Sequence, residues 1–159
     1  SDGVSAIMGA DCSGVTTAVL QNVATAKGVV MISPSATSPA LSTIEDNGLF
    51  FRTSPSDARQ GQVLAQILKE KSIKSAAMSY TNNDYGKGLA DSIQKNFEAI
   101  GGKITISASH EDGKGDYGAE VAALAQARSR QSGERSGCEG FTFSHSATPT
   151  ANRNILTAL

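Results

Sequence analysis

The sequence predicts an α/β fold built from mostly parallel sheets with flanking helices. Short apolar runs alternate with helix-period segments through residues 4–126, and the runs are separated by polar or glycine-containing turns. Strands joined by helical crossovers lie parallel to one another.

Residues 4–8 (Val-Ser-Ala-Ile-Met) read as a buried strand. Residues 13–27 follow as a helix, with Val15, Ala18, Val19, Asn22, Val23 and Ala26 on its inward stripe and Gly28 as its stop. Val29-Val30-Met31-Ile32-Ser33 is a second strand, residues 34–48 form a loop rich in Ser, Thr and Pro, and Phe50-Phe51-Arg52-Thr53 is a short third strand. Asp57 opens a helix whose buried stripe reads Val63, Leu64, Ile67 and Leu68. Residues 75–80 form a strand, and a polar turn over 81–84 leads into a helix with Leu89, Ile93, Phe97 and Ile100 on one face. Gly101-Gly102 ends that helix, 103–108 is another strand and 117–127 another helix. Between Leu124 and Ile155 there is no Val, Ile or Leu. Such a stretch buries too little apolar surface to offset its ordering entropy, so 128–159 reads as an atypical tail that is poorly ordered. Its last residues, 154–159, look helix-competent. With no apolar period there to add strands, sheet edges are expected to stay exposed.

Composition excludes several classes of function. Lys and Arg number 14 against 15 Asp and Glu, a net charge of -1, which argues against a nucleic-acid partner or an anionic membrane surface. No apolar run approaches the roughly 18–20 residues that span a bilayer. The start Ser1-Asp2-Gly3 has neither the basic residues nor the apolar core of a signal peptide, as in a mature secreted chain or a cytosolic one. Cys12 and Cys138 are too far apart for metal-ligand spacing, and Cys12 reads as a buried thiol. His110 and His145 have no partners at metal spacing, so no metal site and no cofactor are expected.

Three strand-to-helix loops carry candidate chemistry. The first, Gly9-Ala10-Asp11-Cys12-Ser13-Gly14-Val15-Thr16, matches the glycine spacing of a phosphate-binding loop, but Val15 stands where lysine is needed. Ser13 sits at an N-cap position, where it either caps its own helix or helps the helix N-terminus seat a carboxylate. The second is Ile32-Ser33-Pro34-Ser35-Ala36-Thr37-Ser38-Pro39, at the carboxyl end of a strand, where ligands of parallel sheets gather. Ser35 and Thr37 lie two apart and would share a side of an extended loop, able to accept from an ammonium and donate to a carboxylate, or to satisfy the loop itself. The third is Asn82-Asn83-Asp84-Tyr85-Gly86, where Tyr85 either covers a small ligand or packs at a helix start. No nucleophile–base–orienter set emerges from spacing, so no enzyme is expected.

Taken in order, Gly9…Cys12-Ser13, Met31-Ile32-Ser33-Pro34-Ser35-Ala36-Thr37-Ser38-Pro39, Phe51-Arg52-Thr53 with Asp57…Gln60-Gly61, and Asp84-Tyr85-Gly86-Lys87-Gly88-Leu89-Ala90 closely resemble the leucine/isoleucine/valine-binding family of ABC-transporter solute-binding proteins. The resemblance covers roughly residues 3–126. It implies the two-lobed type I periplasmic-binding architecture, incomplete in this chain, with 1–56 part of the first lobe and 57–127 part of the second. The family's first strand–helix units would lie before Ser1, and the second lobe's later strands, with its acidic ammonium partner, would be missing or scrambled after Ala127. By resemblance, Ser13 binds the ligand carboxylate, Ser35 holds the ammonium through its carbonyl, Thr37 binds both groups and Tyr85 closes over the ligand. The hinge would fall near 54–57, and Cys12 would be half of a disulfide with an upstream partner. The implied function is the solute-binding component of an ABC importer, periplasmic or lipid-anchored outside the cell, taking a branched-chain or similar amino-acid-like ligand and docking on a membrane permease. The alternative is an extracellular ligand-sensing domain of a receptor or amide-responsive regulator with the same fold.

Overall fold

A computed structural model describes residues 3–129, 142–143 and 155–158. Strand β1 (Ala6–Met8) leads into a continuous helical stretch made of α1 (Ser13–Val19), a π-helical segment (Leu20–Ala24) and α2 (Thr25–Lys27). Gly28, at φ 66°, stops it in the left-handed conformation that only glycine adopts freely. Strand β2 (Val30–Ser33) follows, then a 3-10 turn (Pro39–Ser42) and β3 (Phe50–Arg52). The three strands form one parallel sheet in the order β1-β2-β3.

Helix α3 (Asp57–Glu70) is capped by Ser56, whose hydroxyl accepts from Ala58 N. Strand β4 (Ser75–Thr81), helix α4 (Asp84–Ala99), strand β5 (Lys103–His110) and helix α5 (Gly118–Ser129) complete the alternation. Asn83 caps α4 by accepting from Gly86 N at 2.8 Å. Strands β4 and β5 pair in parallel. The backbone of β7 (Ile155–Ala158) pairs antiparallel with β4 on its other side, and β6 (Thr142–Phe143) pairs with β7, giving a second sheet in the order β5-β4-β7-β6.

Each sheet has its own core. Leu20, Ala24, Met31, Ala36, Leu41 and Phe50 fill the first. The second holds Ala65 and Leu68 of α3, Ala76 and Met78 of β4, and Leu89, Ala90, Ile93 and Phe97 of α4. The α3 helix thus packs with the second sheet and not the first. Gly61 lets α3 lie directly on α4: a β-carbon there would come within 2.7 Å of the Ser92 carbonyl carbon. Gly61→Ala is expected to lower stability by about 1–3 kcal/mol through overpacking, measured as a lower denaturation midpoint with unchanged slope.

Several expectations are corrected. The stripe Val15, Ala18, Asn22, Val23 and Ala26 faces solvent, while Ser13, Thr16, Leu20 and Ala24 face inward. Polar bonds decide the face: the Thr16 hydroxyl donates to Ala10 O at 3.1 Å, and the π-helical segment keeps Leu20 and Ala24 on that side. On α3, Val63 is exposed and Ala65 buried, because the inward side is set by Gly61 against Ser92. Ile100 is likewise partly exposed, at 36%, at the end of α4. Residues 155–158 form a strand and not a helix. Four residues are too few to nucleate a helix, whereas β4 offers a row of backbone partners. That edge of the second sheet is therefore covered, while β1 and β3 are edges of the first. The expected disorder of the tail concerns residues that, apart from these strands and the end of α5, lie outside the described ones.

Candidate functional site

The carboxyl ends of β1 and β2 open into two loops that bond to each other. Ser33, the last residue of β2, donates its hydroxyl to Ala10 O at 2.6 Å and accepts from Ala36 N at 3.0 Å. Thr53 Oγ1 and Ser54 Oγ both donate to Pro34 O, at 3.1 and 2.7 Å. Arg52 reaches over from β3, with Nη1 donating to Ser38 O at 2.8 Å and to Ala36 O at 3.3 Å, and Nη2 donating to Ser42 Oγ. Loop 34–39 is thus held from both sides, a loop made rigid by polar bonds.

Ser13 is buried, 2% exposed, and its hydroxyl accepts from Thr37 N at 3.2 Å and Ser38 N at 3.1 Å. It is not the N-cap: Cys12 is, and its side chain makes no capping hydrogen bond. Ser13 therefore ties loop 34–39 to α1, and its own proton remains to be donated. Backbone N–H groups of the helix start add positive potential beside it. The Asp84 carboxylate of α4 approaches the same end, 3.7 Å from where a β-carbon on Gly14 would sit. Cys12 is an exposed free thiol and not a buried one.

Ser35 and Thr37 do not act as a pair. The Ser35 hydroxyl donates to the Asp11 carboxylate and, at 3.1 Å, to Asp11 O. Thr37 Oγ1 donates instead to Asp57 Oδ2 at 2.8 Å, and Asp57 N donates to Thr37 O at 2.9 Å. Both are half-buried. Tyr85, in the first turn of α4, packs partly buried against the second core, next to the Asp84 that faces α1. Ser13 and Thr37 are therefore in direct contact, Ser35 sits on the same loop, and Tyr85 lies where α4 meets α1.

Asp57 adjoins these loops and is a candidate residue that the sequence did not single out. It is 2% exposed, in the first turn of α3, and paired with Thr37. Burial raises its pKa above the usual carboxylate range, against the opposing pull of the Thr37 hydrogen bond and of the Arg52 charge. Burial likewise lowers the Arg52 pKa, and Asp57 opposes that shift; the guanidinium stays a cation. The signal available in sequence was Phe51-Arg52-Thr53 followed by Asp57, an acid entering the site from the next helix start.

A second polar cluster lies at the ends of β4 and β5. Ser79 Oγ and His110 Nδ1 are 2.8 Å apart and buried, and the Tyr117 ring meets the His110 ring edge-on at 5.7 Å. This pair crosslinks two strands beneath α5 and is closed to a substrate. Among the described residues no group of His, Cys, Asp and Glu is placed to hold a metal ion, and no helix is long and apolar enough to cross a membrane.

Comparison with known proteins places this geometry in context. The model of the receptor family ligand binding region matches residues 1–135. The chain is 32% identical over 128 residues to the leucine-, isoleucine-, valine-, threonine- and alanine-binding protein of Pseudomonas aeruginosa, covering 80% of this chain and 34% of that protein. It is 33% identical over 122 residues to BasB of Halobacterium salinarum, a substrate-binding protein of a chemotactic signal transduction system, covering 73% of this chain and 29% of the relative. An ABC transporter substrate-binding protein of Desulfitobacterium hafniense, solved in complex with Leu, superposes with a TM-score of 0.63 at 26% identity, covering 82% of this chain and 36% of that one. The chain spans about a third of the length of these relatives.

Proposed function

The chain belongs to the receptor ligand-binding-region family, in its leucine/isoleucine/valine-binding branch, and from that premise we propose that the full-length protein is a non-enzymatic solute-binding component that holds an α-amino acid at the mouth of loop 34–39. One observation carries the reading: Thr37 bonds to both Ser13 and Asp57. Its N–H binds Ser13, whose hydroxyl proton and helix N-terminus suit a carboxylate, and its hydroxyl binds buried Asp57, whose charge suits an ammonium. Ser35 would add its carbonyl to the ammonium, and Tyr85 would cover the ligand from α4. Asp57 would then serve as the acidic partner of the ammonium. Residues 1–56 would form part of one lobe and 57–127 part of the other, with the hinge near 54–57; the packing of α3 on the second core supports that division.

The relatives favour an amino-acid ligand of branched-chain type and an ABC permease as partner, with the protein outside the cytoplasmic membrane, periplasmic or lipid-anchored. In a thermal-shift screen, leucine, isoleucine or valine should raise the melting temperature of the full-length protein by mass action, about 2.7 kcal/mol at a hundred times Kd. A response confined to nucleotides or sugars would overturn the assignment. The similarity to BasB favours a second reading, a ligand sensor. Deleting the gene separates them: an importer component loses labelled-leucine uptake, a sensor loses the behavioural response alone.

A further inference from the structure

We propose that Gly88 is a positioning residue for ligand closure, the point at which α4 seats against the ligand loop and sets Tyr85 over it. The inference rests on the amino-acid-seat reading for its ligand arm. A β-carbon on Gly88 would stand 2.9 Å from Pro39 Cδ and 3.1 Å from Ser38 Oγ. The backbone behind both neighbours is held. Pro39 is a rigid ring opening the 3-10 turn. Ser38 is buried, its N–H on Ser13 Oγ and its carbonyl under Arg52.

Nothing else at this position calls for glycine. Gly88 lies inside α4 without a positive φ, where alanine is the better helix former. Gly86, two residues earlier, is different: its crowding comes from Thr81 of the strand just before its own helix, so it serves the second sheet alone. The neighbours of Gly88 belong to the first sheet's loop. Tyr85 precedes Gly88 by three residues and so is its neighbour on the helix surface. How closely Gly88 approaches Ser38 and Pro39 would therefore set how near α4 brings Tyr85 to the loop. A single added methyl would hold α4 away from the loop, and in a hinged protein the strain is relieved by opening and not by unfolding.

The test uses the full-length protein carrying Gly88→Ala. Its ligand-free melting temperature should equal or exceed that of wild type. Leucine affinity should fall at least tenfold, through faster dissociation, and small-angle scattering should show a larger radius of gyration. Adding Pro39→Ala should make room for the methyl and restore part of the affinity. Affinity and dissociation rate within twofold of wild type would overturn the proposal. If Gly88→Ala does not fold, the double variant decides: recovered folding and binding uphold the contact, and a double variant equally defective overturns it. If no α-amino acid binds wild type, the seat assignment fails by itself, and scattering judges the contact: expansion in Gly88→Ala upholds it, an unchanged radius overturns it.

Discussion

Asp57→Asn is expected to weaken amino-acid binding by about 2–5 kcal/mol, roughly thirtyfold to a few thousandfold, because the ligand's ammonium would lose its buried counter-charge. Calorimetry with leucine checks this, and an unchanged constant would remove Asp57 from the site. Stability should move the other way. Asp57 has its pKa raised on folding, chiefly by burial. The folded chain therefore holds that proton more tightly, a contribution present below the ordinary carboxylate value near 3.9 and lost as pH rises through the raised one. At pH 7 the ionised group opposes folding. Asparagine never ionises and can still accept from Thr37 Oγ1, so Asp57→Asn should melt at an equal or higher temperature at neutral pH. Its advantage should vanish on acidification.

Ser13→Ala is expected to lower both stability and affinity. It strands two backbone N–H groups, of Thr37 and Ser38, that now donate to a buried hydroxyl. An unsatisfied buried donor costs about 1–3 kcal/mol, so two of them should lower the unfolding midpoint by the equivalent of about 2–6 kcal/mol. Losing a hydroxyl bond to a charged carboxylate removes about 1.5–3 kcal/mol more from binding, on the order of tenfold to a few hundredfold. Denaturation and calorimetry on the same variant separate the two effects. Lost stability with intact affinity would leave Ser13 as a clamp for loop 34–39 and nothing else.

The readability of this chain followed the kind of force at each position. Strand–helix alternation, the glycine stop at Gly28 and the Leu89, Ile93, Phe97 face of α4 are apolar or conformational signals, and they stand in the structure as sequence reading places them. The inward face of α1 was misread because it is chosen by Thr16 and Ser13, polar residues that periodicity of apolar side chains leaves out. Ser13 and Thr37 were recognisable at strand ends. Asp57 was not, since an acid in the first turn of a helix is ordinary, and only tertiary structure brings it to a threonine twenty residues earlier. The strand at 155–158 was missed for the same reason: its partner, β4, is remote in sequence.

Thr37 joins Ser13 to Asp57 through one peptide unit and one side chain. In the proposed seat, whatever fixes that residue fixes the separation between the group that would meet a negative charge and the group that would meet a positive one. A bound molecule is therefore measured along its backbone as well as recognised by charge. An α-amino acid, with its two charged groups on one carbon, is the kind of molecule such a spacing would select. An amine or an acid carrying only one of them would engage half of it, and would be held less than half as strongly, because the translational and rotational freedom lost on binding is the same for either. The selectivity for zwitterions would thus be a property of spacing, set before any side-chain pocket is consulted.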